Sequence, residues 1–311
     1  MRHLVSFFFF LLTAHTAIAQ DKLCIYSSRQ PATLAFDAVP VNKLMHLDAY
    51  KGIFFGEQHN NTFDPQVKYC FIATMSQSLG LRHVFIETGA AAAWRFNQYL
   101  QTGDTNWLYS ASMPFTVGGY RRLWQRLYDY NKILPANKKL VMHGIDFERT
   151  EVFTTLLQLM PEGQAVPPSL QALADTLTAH RGDKPLAMYS IEDGKMTGIN
   201  DNSAFAHTLE YIQQELLAHE ADAKTFYGSN YPVVEAIMTN PNKVTVKPVQ
   251  RNKSMYKVME KTIAAEHIDK FIGFFGNMHT SYKVGSSLAN AAADLPGMKP
   301  ADILNVSVYV N

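Results

Sequence analysis

The chain has 311 residues, 47% of them hydrophobic and 18% charged, with a formal net charge of +1. A chain of this length can bury a sizeable core, as one domain or as one domain with an insertion. Its near neutrality excludes a nucleic-acid binder that works through an extended basic face.

Met1-Arg2-His3 is a short basic region, Leu4 to Leu12 is apolar with four consecutive phenylalanines, and Ala17-Ile18-Ala19 has the small-x-small form of a cleavage site. The pattern predicts a secretory signal peptide over residues 1–19, too short to span a membrane and cleaved before Gln20. Asp21-Lys22-Leu23 ahead of Cys24 is no lipobox. The expected product is an exported protein, periplasmic or secreted, with no second membrane segment. Its 292 residues carry 27 basic and 27 acidic side chains. Cys24 and Cys70 are read as two idle thiols rather than a disulfide.

Ala38-Val39-Pro40-Val41 reads as an edge strand. Ile53–Gly56 is an apolar strand that ends at Glu57, two residues before His59. Asp64-Pro65 starts a helix, with Val67, Phe71, Met75 and Leu79 on one face and Gly80 at its end. His83–Thr88 is a second strand with Glu87 at its tip. The alanine-rich stretch Ala90–Leu100 predicts a helix, and another follows Gly118-Gly119. Lys139–Ile145 is a third strand, ending at Asp146. Helical patterns then cover residues 150–160, 168–180, 202–220 and 222–238. Arg251–Glu266 reads as a helix with Met255 and Met259 on the face of Arg251. Phe271–Phe275 is a fourth strand leading into Asn277-Met278-His279. A helix around Ser286–Ala293 and a strand over Ile303–Val310 close the chain.

The fold class expected from this alternation is α/β, a mainly parallel sheet flanked by helices. A helical insertion or cap interrupts it between the third and fourth motif-bearing strands. The organisation reads as signal peptide 1–19, first part of the core 20–149, insertion 150–248 and second part of the core 249–311.

In a parallel sheet the four tips share one edge, where ligands bind. Glu57 with His59, Glu87, Asp146, and Asn277 with His279 therefore form the candidate site. His59 is the candidate general base, because imidazole takes a proton near neutral pH. Glu57 or Glu87 would orient it, and His279 and Arg251 would stabilise developing negative charge. Asp146, Asn277 and Asn60 are the candidate substrate contacts. The chain lacks a Gly-x-Ser-x-Gly elbow, a phosphate-binding loop, a Gly-x-Gly-x-x-Gly fingerprint and a His-Glu-x-x-His motif. Hydrolysis of a small-molecule substrate by water fits best. No cofactor is expected and no metal ligands are assigned. A mixed histidine and carboxylate metal site stays open as an alternative. The sequence leaves the oligomeric state open.

Gly56-Glu57-Gln58-His59, Glu87, Arg95-Phe96-Asn97-Gln98-Tyr99-Leu100 with Gly103-Asp104, Gly144-Ile145-Asp146, the helix from Arg251 to Met255, and Asn277-Met278-His279 resemble, together, the erythromycin esterase-like and ChaN-like superfamily. The resemblance runs over residues 50–150 and 250–282. It implies an α/β fold with a helical cap. In the esterase branch it implies metal-independent lactone hydrolysis with His59 as base, Glu57 and Glu87 as supporting acids, and Arg251 and His279 in the site. The single residue between Glu57 and His59 resembles the ChaN branch, which implies haem binding; the wider superfamily includes metal-dependent peptidases. Gly276 stands where the esterases have a histidine, and Asn252 where they have an acid.

Overall fold

A computed structural model of the protein describes residues 11–15, 22–24, 46–57, 64–109, 118–183, 191–192, 195–196, 203–240, 248–281 and 287–309. In chain order the first elements are β1 (Leu11–His15), β2 (Lys22–Cys24), β3 (Gly52–Glu57), α1 (Asp64–Leu79), β4 (His83–Ile86), α2 (Ala90–Thr102), α3 (Asn106–Tyr109), α4 (Gly118–Ile133) and β5 (Val141–Gly144). Then come α5 (Glu151–Leu159), α6 (Gln171–Ala179), β6 (Ile191–Glu192), β7 (Lys195–Met196), α7 (Ser203–Ala218), α8 (Glu220–Tyr227) and α9 (Tyr231–Thr239). The chain ends with α10 (Pro248–Glu266), β8 (Phe271–Gly276), α11 (Asn277–Thr280), α12 (Leu288–Ala291) and β9 (Ile303–Tyr309). No helix among the described residues is long and apolar enough to cross a membrane.

The chain divides into two compact units. The first contains residues 1–87, 116–143 and 247–311. Its sheet has the strand order β2-β1-β9-β3-β8-β4-β5. The five strands from β9 to β5 run parallel, and β1 adds antiparallel to β9 with Leu12 opposite Val308. β1 falls inside the expected signal peptide, so cleavage before Gln20 would leave a different strand at that edge of the sheet.

The sheet is covered on both sides, which is why its strands are continuous apolar runs rather than alternating ones. β3 and β8 pair with Phe55 opposite Phe274, and β4 and β8 pair with His83 opposite Phe271. Side chains alternate along each strand. Phe54, Phe271, Phe275 and Phe85 therefore share one face, where the Phe85 and Phe271 rings meet edge-on at 5.3 Å. Phe55 and Phe274 share the other, where Phe71 of α1 packs 5.0 Å from Phe55. Alternation also sends Glu57 to the α1 side and Glu87, with His83, to the opposite side.

The second unit contains residues 88–115 and 144–246. Its core is helical, built on Phe153, Leu156, Leu173, Leu177, Ile212 and Val234, all fully buried. The expected single helix over 222–238 is two helices, because Gly228 adopts φ 52° and turns the chain between α8 and α9. β6 and β7 form a small antiparallel pair in a stretch with no strand expectation. Glu148 caps α2 across the unit: its Oε1 accepts from Ala90 N–H at 2.6 Å and from the Asn240 amide at 2.6 Å, and its Oε2 accepts from Ala91 N–H at 3.2 Å. Burial pushes its carboxyl up to about 8, against the pull of those donors. Arg95 of the motif Arg-Phe-Asn is also structural. It is buried and donates to Gln158 Oε1 at 2.6 Å, Thr155 Oγ1 at 3.4 Å and Trp107 O at 3.3 Å.

Candidate functional site

The carboxyl edge of the first unit is built around β8. Glu57 at the end of β3 lies opposite Gly276 on one side of it. On the other side Ile86 lies opposite Phe274, so Glu87 follows at the same edge. Here β8 turns directly into α11. This turn brings Asn277 and Thr280 over Gly56, where an added Cβ would collide with Asn277 Oδ1 and sit 2.5 Å from Thr280 Oγ1. Gly56 thus gives the corner room to close. Asn305 from β9 donates its amide to Thr280 O and anchors the corner from below.

Glu87 is the centre of the edge. Arg251 Nη2 donates to Glu87 Oε1 at 2.7 Å, and Gly276 N–H donates to Glu87 Oε2 at 2.7 Å. His279 Nε2 lies 3.4 Å from Oε1. Burial alone would raise the Glu87 carboxyl. The hydrogen bond and charge of His279, the Arg251 guanidinium and the Gly276 N–H outweigh it and hold the group far below the usual carboxylate range. Glu87 is thus a fixed anion and a very weak base. On its other side, His279 Nδ1 meets Asn252 Oδ1 at 2.5 Å. Nε2 of the same ring faces the Glu87 carboxylate. The cluster turns the Arg251 guanidinium and the His279 ring toward one carboxylate at the strand tips.

Glu57 belongs to a separate ion pair. Lys68 Nζ lies 2.7 Å from Glu57 Oε1, and both side chains are largely buried. The ammonium also sits 5.2 Å from the Tyr120 ring centre and 5.9 Å from that of Phe274, a cation–π environment.

The structure therefore brings together Glu87, Arg251 and His279, and adds Asn252. Asn277 stands at the same corner. Asp146 belongs to the second unit, where it is buried and its N–H donates to Thr88 O at 2.9 Å. His59 and Asn60 lie outside the described residues, as does the expected edge strand Ala38–Val41. Sequence reasoning singled out neither Lys68 nor Asn252 as a site residue. Lys68 had one signal, a cation beside the apolar stripe of α1 one turn after its start. Asn252 had another, its place directly after Arg251 where the esterase motif carries an acid.

Arg251 Nη2 and His279 Nε2 both address Glu87 Oε1, and His279 Nδ1 meets Asn252 Oδ1.

No family model matches the sequence, and no curated protein matches it. Three solved structures do share its architecture. A Bacillus cereus protein aligns over 89% of this chain and 69% of its own, at 15% identity and a TM-score of 0.58. A succinoglycan biosynthesis protein aligns over 90% of this chain and 70% of its own, at 15% identity and a TM-score of 0.56. A mutant of the erythromycin esterase EreC in its open conformation aligns over 89% of this chain and 74% of its own, at 15% identity and a TM-score of 0.53. The chain has the α/β fold of an erythromycin esterase.

Proposed function

We propose that this protein is an exported hydrolase that attacks an ester, lactone or amide with a water molecule activated by His59. One observation carries the reading: Arg251 and His279 converge on Glu87 at the strand tips, on the sheet edge where β3 also ends at Glu57. The shared fold with an esterase supports the same class.

In this scheme His59 takes a proton from water as the oxygen attacks the substrate carbonyl. The new C–O bond forms as the carbonyl π pair moves onto oxygen. Arg251 and His279 are assigned to the resulting oxyanion, and Glu87 holds both in place. Collapse of the tetrahedral species breaks the bond to the leaving group, which receives the proton from His59. Glu57 is held at the end of β3 by Lys68.

The test is turnover of a panel of p-nitrophenyl esters and macrolide lactones by the chain beginning at Gln20. His59→Ala lowers kcat/KM by about 10²–10⁴-fold, the usual share of a general base, with an unchanged far-UV spectrum. Full activity in that variant overturns the mechanism. A saturable Soret shift with haemin, in a protein that hydrolyses nothing, would replace it with a binding function. N-terminal sequencing of the exported protein checks the cleavage site.

A further inference from the structure

A second cluster lies in the first unit at the other edge of its sheet. His83 opens β4, His143 is in β5, and Glu266 ends α10. The two imidazoles stack at 5.2 Å between centres and 19° between planes, with the Phe85 ring 4.9 Å from His143. His83 Nδ1 lies 2.9 Å from His143 Nε2. Glu266 Oε2 is 3.9 Å from His83 Nδ1, and Glu266 Oε1 is 3.6 Å from His143 Nδ1. Ligand atoms from all three residues fit within 4.8 Å of one another. The proposed hydrolysis uses none of them.

We propose that His83, His143 and Glu266 form a divalent metal site of the zinc type, clamping β4, β5 and the C-terminal end of α10 together. Bonds of about 2.0–2.2 Å to nitrogen and oxygen at a tetrahedral angle put ligand atoms about 3.3 Å apart. His83 Nδ1 and His143 Nε2, 2.9 Å apart, lie just inside that value, and Glu266 Oε2, 3.9 Å from His83 Nδ1, lies outside it, so the carboxylate closes onto the histidine pair. His83 Nδ1, His143 Nε2 and Glu266 Oε2 supply three ligands. Glu266 is 46% exposed, which leaves solvent to fill a fourth position.

The donor set, two imidazole nitrogens and one carboxylate oxygen, favours a borderline metal over calcium or magnesium. Arg82 opposes any cation here, although its Nη1 donates to Asn137 O at 3.0 Å. A site beside a guanidinium must bind through strong donor bonds from imidazole. That selects zinc, cobalt or nickel over the hard cations, which bind oxygen ligands.

The test uses the full chain after EDTA dialysis, titrated with cobalt(II) chloride and then with zinc(II) chloride. The expected result is one equivalent of cobalt with visible d–d absorption, its displacement by zinc, and a rise in Tm with either metal. His83→Gln, and separately Glu266→Gln at its exposed position, weakens cobalt binding by more than about 100-fold, beyond the loss of an outer partner. Far-UV spectra of the two variants match the parent. His279→Gln, at the opposite edge, binds cobalt as the parent does. No saturable cobalt spectrum, or a spectrum that survives both His83→Gln and Glu266→Gln, overturns the proposal and leaves a stacked histidine pair held by packing.

Discussion

Replacing Glu87 with glutamine removes the negative charge on which the candidate site is centred while keeping its shape. In the parent, Arg251, Gly276 N–H and His279 address this carboxylate at 2.7, 2.7 and 3.4 Å. Its side chain is only 15% exposed, so solvent screens the pairs weakly. Breaking a buried ion pair by deleting one partner costs about 3–5 kcal/mol, because the remaining charge is left without compensation. The amide retains one acceptor oxygen, which places the expected loss near the lower end, about 3 kcal/mol. That is a large part of the stability of an ordinary domain.

The pH dependence gives the same idea an independent readout. The folded Glu87 carboxyl is depressed below its ordinary 4.5. Its contribution is therefore fully present above pH 4.5 and is lost as the pH falls toward the depressed folded value. Urea unfolding followed by far-UV circular dichroism near neutral pH should show the full gap between parent and Glu87→Gln. Repeated in acid, below that window's upper limit, it should show the gap narrowing. A gap under about 1 kcal/mol at neutral pH, the size expected of a surface pair, would refute the reasoning. So would a gap that stays constant on acidification.

Two further substitutions test the surroundings. Gly56→Ala forces a methyl group against Asn277 and the buried Thr280 and should cost about 1–3 kcal/mol by overpacking; urea unfolding indistinguishable from the parent would contradict the close approach. Glu148→Gln should flatten the pH dependence of stability between 4.5 and 8. Across that window the folded carboxyl holds a proton that the unfolded one has released, so parent stability falls as pH rises, on the order of 1 kcal/mol per pH unit. Equal slopes in the two proteins, measured by urea unfolding, would exclude Glu148 as the titrating group.

The strands were legible because each is an unbroken apolar run with an abrupt polar end. Phe271–Gly276 and Gly52–Glu57 differ from their expected limits by a residue at most at either end. The common edge followed from parallel pairing alone. Which acid meets which cation was not legible, since alternation along β3 and β4 is locked together only through β8, far away in sequence. That register sends Glu57 to Lys68 and Glu87 to Arg251. The tight turn at Gly228 went unread for a different reason, because the apolar spacing of α8 and α9 continues across it. The histidine pair was hidden because each member looks like an ordinary strand residue until β4 and β5 are placed side by side.

α10 connects the two sites in an informative way. Arg251 in its first turns reaches the carboxyl edge, and Glu266 at its last residue reaches the amino edge. Between them Met255, Met259 and Ile263 repeat every four residues and are buried. Each such side chain contributes about 1.5–3 kcal/mol when fully buried. Their sum exceeds what a half-exposed carboxylate at one end can supply. The apolar stripe therefore holds the helix, and the charged residues fix where along the sheet its ends stop. Substituting Glu266 can then empty the amino-edge site while Arg251 stays on Glu87. Substituting His59 or His279 likewise leaves the three amino-edge ligands in place. The hydrolytic reading and the metal site thus stand or fall separately, although one helix serves both.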